Sequence, residues 1–282
     1  MRMLPEASVG VPAHRGGLLV RQPALTVGVV QIIARPSGLD VELIARRGVP
    51  GPPAARHLLP PYDEGVDLRV GRLDDTGRAR WEYGSVASDG ATWRTRTRFP
   101  TTYDQFELVL AWPEIGFAEF TTVLPLPGRD EVERGCASVW QAPVFMAPVP
   151  AGVRRRPAAG FLDTPPLENG RICARPRVLA REQDGVVVLT RLTEVGGVLS
   201  MAVESHSRVR LPVGTIGPWG ATIAVLRDRD AVVLDPYEGE AGDHFASGEF
   251  VLPRPPGQVL DLVVSWPAVG LAGVRATIPL EP

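Results

Sequence analysis

The chain has 282 residues, 44% of them hydrophobic and 22% charged, with a formal net charge of −2 and a pI near 6.1. That length suits two domains of ordinary size, and the near balance of charge argues against nucleic acid or an anionic membrane as a partner. All 30 basic residues are arginine, which reads as the codon usage of a GC-rich bacterium and excludes Schiff-base, P-loop and kinase-type lysine chemistry.

The first 17 residues lack the apolar core of a secretory signal. No stretch approaches the roughly 20 apolar residues that span a bilayer. A soluble, cytoplasmic protein is the expectation. Asn169 is the single asparagine and is followed by Gly170-Arg171, so there is no glycosylation sequon. Cys136 and Cys173 are too few for a disulfide framework and are expected as reduced thiols, with a bridge between them as the alternative.

In chain order, β-like runs occur at Leu18–Gln22, Leu25–Ala34, Leu39–Arg46, Val66–Leu73, Arg78–Tyr83, Thr92–Phe99, Gln105–Trp112 and Phe117–Leu124. Turn residues separate them: Pro36-Ser37-Gly38, Asp74-Asp75-Thr76-Gly77, Ser88-Asp89-Gly90 and Pro113…Gly116. Short strands with Gly, Pro and Asp punctuation predict a sandwich or barrel. No window carries a sustained helical period.

Residues 128–170 are rich in Pro, Gly and Arg and read as a long linker, with Val139–Met146 as a short strand or apolar patch. Ile172–Arg181 then reads as the leading strand of a second set. That set repeats the first. FELVLAWPEIGFAEFTTVLPL (Phe106–Leu126) aligns without a gap to LDLVVSWPAVGLAGVRATIPL (Leu260–Leu280), sharing Trp112-Pro113…Gly116 and Trp266-Pro267…Gly270. Upstream, Val29–Ile33 and Leu39–Leu43 flank Gly38, as Val186–Leu189 and Val198–Met201 flank Gly196-Gly197. The Pro/Gly-rich loops Arg47–Gly65 and Arg210–Gly220 fall at the same place in both.

The fold expected is therefore all-β: two tandem immunoglobulin-like or fibronectin-like antiparallel sandwiches from an internal duplication. The first spans 1–127 with an extension over 1–17, the linker 128–170, and the second 171–282. The resemblance is architectural, since the Cys…Trp…Cys core pattern of true immunoglobulin domains is absent. Phe106, Leu108, Leu110 and Trp112, then Phe120, Thr122 and Leu124, share faces expected to fill one core. Leu260, Leu262, Val264 and Trp266, with Val274, Ala276 and Ile278, do so in the other.

Chemistry is sparse. No Gly-x-Ser-x-Gly elbow exists, and in Ser205-His206-Ser207 neighbouring side chains on a strand face opposite ways. His14, His57, His206 and His244 are isolated, with no zinc spacing. Asp235, Glu238, Glu240 and Asp243 form the best oxygen cluster for Ca²⁺, though a solvated acidic turn is the plainer reading. Arg94, Arg96 and Arg98 line one strand face opposite Trp93, Thr95, Thr97 and Phe99, a candidate anion-binding stripe. The matching strand of the second set places Glu249 at the position of Arg96. Arg154–Arg156 adds to the basic surface but is too small for DNA. Available aromatics are Tyr62, Tyr103, Trp140, Trp219 and Tyr237.

These features predict a non-enzymatic binding or assembly protein without a cofactor, contacting a protein partner through sandwich edges, loops and linker. Arg94, Arg96, Arg98, Trp140, Trp219 and Tyr237 are the candidate binding residues, and no catalytic residue is assigned. The alternatives are a hydrolase-type enzyme with a site between the copies, using His206, His244 and Asp243, and a repeat subunit of a larger particle.

Overall fold

The computed structural model describes residues 7–48, 68–158, 162–211 and 220–281. The strands, in order, begin with β1 (Ser8–Val9), β2 (Val11–His14), β3 (Gly17–Gln22), β4 (Leu25–Arg35), β5 (Gly38–Arg47) and β6 (Arg69–Leu73). Next come β7 (Ala79–Glu82), β8 (Ser85–Ser88), β9 (Thr92–Phe99), β10 (Gln105–Trp112) and β11 (Phe117–Pro125). After helix α1 (Arg129–Gly135) follow β12 (Ala137–Ser138), β13 (Ala147–Pro148), β14 (Arg154–Pro157), β15 (Arg171–Ala174) and β16 (Arg177–Arg181). The chain ends with β17 (Gly185–Val195), β18 (Val198–Ser207), β19 (Thr222–Arg227), β20 (Asp230–Val233), β21 (Glu238–Ala241), β22 (Phe245–Pro253), β23 (Val259–Trp266) and β24 (Leu271–Pro279). The protein is all-β, and no described helix is long and apolar enough to cross a membrane.

Two compact units form. The N-terminal unit comprises Gly10–Cys136 and Leu167–Arg171; the C-terminal unit comprises the residues up to Val9, Ala137–Pro166 and Ile172–Pro282. In the N-terminal unit one sheet runs β2-β4-β5-β9-β8, with β3 also on β4, and the other β11-β10-β6-β7. In the C-terminal unit the corresponding orders are β15-β17-β18-β22-β21, with β16 on β17, and β13-β24-β23-β19-β20-β14. Apart from β13 and β14, the pairing schemes match strand for strand. Register irregularities match too: Val29/Gln31 with Leu189/Arg191, and Leu110/Trp112 with Val264/Trp266. A bulge at the same place in each ladder bends each sheet at the same point.

Alternation explains the cores. Phe106, Leu108, Leu110, Trp112 and Leu124 are buried in one, and Leu260, Leu262, Val264, Trp266, Ala276 and Ile278 in the other. Phe120, Thr122 and Val274 are half-buried toward the edge strands. Each Trp-Pro-x-x-Gly closes its hairpin through a 3-10 turn, Pro113–Ile115 or Pro267–Val269, ended by Gly116 at φ 75° and Gly270 at φ 82°. The prolines lack the N–H that would extend the ladder, and the glycines take the left-handed conformation without a Cβ penalty.

The 128–170 segment is structured, which its Pro and Gly content conceals. Helix α1 buries Val132 and carries Asp130 and Glu131 in its first turn, favourable to the helix dipole. Seven residues are too few to display a period. Beyond it, Val139, Ala142 and half-buried Trp140 and Val144 join Val178, Val186 and Val188 in an apolar cluster. Val149 and Val153 pack with Ala224, Ala231 and Val263 in a second. Leu167–Asn169 folds back as a 3-10 turn of the N-terminal unit, where buried Glu168 pairs with Arg46 at 2.7 Å. The leading strand expected over Ile172–Arg181 is two strands, β15 and β16, broken at Arg175-Pro176.

Candidate functional site

The arginine stripe forms as the alternation requires. On β9 Trp93, Thr95, Thr97 and Phe99 are buried, while Arg96 and Arg98 are exposed and Arg94 half-buried. The neighbouring strand β5 supplies counter-charges. Arg94 pairs with Glu42, itself 2% exposed, and Arg96 reaches the same carboxylate at 3.7 Å. Arg98 lies 3.9 Å from Asp40 and donates to Ser37 Oγ at 3.0 Å. The stripe is one half of a cross-strand charge ladder in which Arg94 and Arg96 share the single Glu42 carboxylate and Arg98 shares Asp40 with Arg35, so its charge is partly offset. Arg154 and Arg156 likewise pair with Asp230, at 3.0 and 3.1 Å, on the parallel neighbour of β14.

At the equivalent place in the C-terminal unit the charges trade strands. Gln31, Glu42 and Arg96 are cross-strand neighbours in one unit; Arg191, Ala202 and Glu249 are in the other. Arg191 Nη2 donates to Glu249 Oε2 at 2.8 Å and to Ser200 Oγ at 3.3 Å, wholly inside the protein. Tyr237 Oη donates to the same carboxylate at 2.5 Å. Burial, reinforced by the negative charge of Glu249, pushes the Tyr237 phenol up to about 12.

Tyr237 also walls a cavity of about 570 Å³ within the C-terminal unit. Val203, Ile223, Leu234, Ala246 and Phe250 line its interior, and the exposed Asp235 and Glu238 stand at its rim. Its size falls within the roughly 300–1,000 Å³ of small-molecule sites. Strands β18, β19 and β22 fix its walls, the β20–β21 connection carries Asp235 and Tyr237, and Glu238 is the first residue of β21.

The remaining predicted residues are dispersed. Trp140 is half-buried beneath Arg208, whose guanidinium sits 4.2 Å from the ring centroid. Trp219, Tyr62 and His57 lie outside the described residues. Glu238 and Glu240 sit on strand β21, not in a loop, and Asp243 pairs with Arg210 at 3.0 Å. Among the described residues no three His, Cys, Asp or Glu side chains gather as a metal site, so the proposed Ca²⁺ set of Asp235, Glu238, Glu240 and Asp243 is not brought together. His206 lies 3.1 Å from Glu204, and His244 Nδ1 lies 3.2 Å from the Ser207 carbonyl. Ser205 Oγ accepts from Ala221 N and Ser207 Oγ donates to Val209 O, so both hydroxyls flanking His206 serve the backbone. Cys136 and Cys173 are not joined in a disulfide.

The sheet edges differ between units. In the C-terminal unit β13 adds to β24, Ala147 opposite Arg275, and β14 adds parallel to β20. In the N-terminal unit the equivalent strands β11 and β7 end their sheet, with no added strand among the described residues. Strand β11 exposes Ala118, Glu119, Thr121 and Val123, and Val123 is 57% exposed.

No protein-family model matches this chain, and no curated protein matches it. Among solved structures it is similar to the crystal structure of the conserved domain protein from Bacillus anthracis. The identity is 7% and the TM-score 0.25, over 90% of this chain and 77% of that one. So distant a likeness says nothing of function.

Proposed function

We propose that the chain is a non-enzymatic binding or assembly protein that takes an extended segment of a protein partner onto the edge strand β11. On this reading its two units are immunoglobulin-like or fibronectin-like sandwiches descended from one duplicated domain, as the matching strand orders and register irregularities support. The observation that carries the binding role is the added strand β13 on β24, which has no counterpart on β11 among the described residues. An open edge presents unpaired N–H and C=O groups in a row, a template for another strand. Strand β11 runs nine residues with Glu119 as its one charge and its one proline at the very end, so little in its sequence discourages pairing.

The test uses the strand that covers the equivalent edge. A peptide of residues 143–150, added to the full chain, is expected to slow hydrogen exchange of the β11 amides, and Thr121→Pro is expected to abolish the effect. Unchanged β11 exchange with this peptide and with any protein co-purified from the native host defeats the reading.

A further inference from the structure

The cavity of the C-terminal unit is lined by Ala246, which stands at the register position that Trp93 holds in the N-terminal unit. In the N-terminal unit Ala45 lies opposite Trp93 and Leu43 opposite Thr95. In the C-terminal unit the same pairs are Ser205 with Ala246 and Val203 with Gly248. Leu68, just before the Arg69–Ala111 pair, corresponds to Ala221, just before Thr222–Ser265. Three side chains at one corner of the sandwich are therefore cut back together: Trp93 to Ala246, Thr95 to Gly248 and Leu68 to Ala221. Phe250, replacing Thr97, returns part of the volume. Protein interiors normally close such spaces, whereas Ala246, Gly248, Ala221 and Phe250 line a cavity among the described residues.

We propose that this cavity binds an aromatic amine, its ring in the space equivalent to that of the Trp93 side chain and its ammonium at the rim. The ring preference follows from the lining, where Phe250 and Tyr237 supply aromatic surface and Ala246 holds the position that carries an indole, Trp93, in the N-terminal unit. The interior wall is aliphatic and aromatic, and Tyr237 commits its hydroxyl to Glu249, leaving its ring as the lining surface. The cation preference follows from the rim. Asp235 is exposed there, and no arginine is among the described lining residues. This site lies beyond the strand-pairing role of β11 and does not depend on it.

Titration of the full chain with indole, tryptamine and indole-3-acetate, read by calorimetry or protein NMR, tests the assignment. Indole and tryptamine are expected to bind saturably, tryptamine about fivefold tighter at low salt, as one rim charge pair provides, and indole-3-acetate more weakly than indole. Ala246→Trp is expected to abolish binding of all three by refilling the corner. The variant Asp235→Asn, altered only at the exposed rim, is expected to reduce tryptamine to the affinity of indole. Absence of saturable binding, binding undiminished in a folded Ala246→Trp protein, or indole-3-acetate binding as tightly as tryptamine overturns the proposal. Should Ala246→Trp fail to fold, a tryptamine advantage that survives in the rim variant overturns it instead.

Discussion

The guanidinium of Arg191 meets the carboxylate of Glu249 at 2.8 Å across the intervening strand β18, with 0% and 8% of the two side chains exposed. A charge pair held so far from water is stable as a pair and costly when broken. Glu249→Ala is expected to lower unfolding free energy by about 3–5 kcal/mol, because the arginine is left charged in the interior. Arg191→Met/Glu249→Met, which removes both charges, is expected to recover most of that loss. Denaturant unfolding of the three proteins gives the comparison.

Tyr237 makes the C-terminal unit sensitive to alkali. Its phenol titrates near 10 in an unfolded chain and near 12 in the folded one, where burial and Glu249 disfavour the anion. The folded state therefore holds the proton more tightly. The stabilisation is complete below pH about 10 and is lost as pH rises through about 12. Denaturant midpoints across that window are expected to fall more steeply for the natural protein than for Tyr237→Phe, and tyrosinate absorbance should show a late-titrating phenol that Tyr237→Phe removes.

Trp93 and Trp112 pack edge to face, both essentially removed from solvent. Trp93→Ala is expected to cost about 3–5 kcal/mol through lost burial and the void it leaves. Trp93→Phe is expected to cost much less, since the buried Trp93 Nε1 has no hydrogen-bond partner to lose. Thermal unfolding of both variants resolves the difference.

Burial sets the thiol chemistry. It raises Cys136, which remains partly exposed, and encloses Cys173 completely. A thiol reagent is expected to label Cys136 slowly in the native protein and Cys173 only after unfolding. Mass spectrometry of labelled peptides reads each site.

The long strands were legible because their alternation and turn residues are local properties of the chain. Strands β2 and β8 were not: one is four residues long with Pro12 inside it, and the other is the small, polar Ser85–Ser88. The arginine stripe was legible as an alternation, but the pairing of Arg94 with Glu42 depends on cross-strand register between residues 52 apart in sequence. The alignment that sets Arg96 beside Glu249 also sets Trp93 beside Ala246. That size difference was the available signal for the cavity, and it acquires meaning only once Ala221 and Gly248 are known to share the corner.

The folding-back of Leu167–Asn169 bears on how the halves can be studied apart. A fragment ending at Pro127 or Cys136 would lack Glu168, stranding the partly exposed Arg46 and baring Gly28, whose Cα approaches the Glu168 backbone too closely for any side chain. The other fragment, begun at Ile172, would lose Val139, Ala142, Val149 and Val153 from its outer layers. Scissors placed by sequence order would thus injure both pieces, and loss of folding in either would report the cut and not an inability of that half to stand alone.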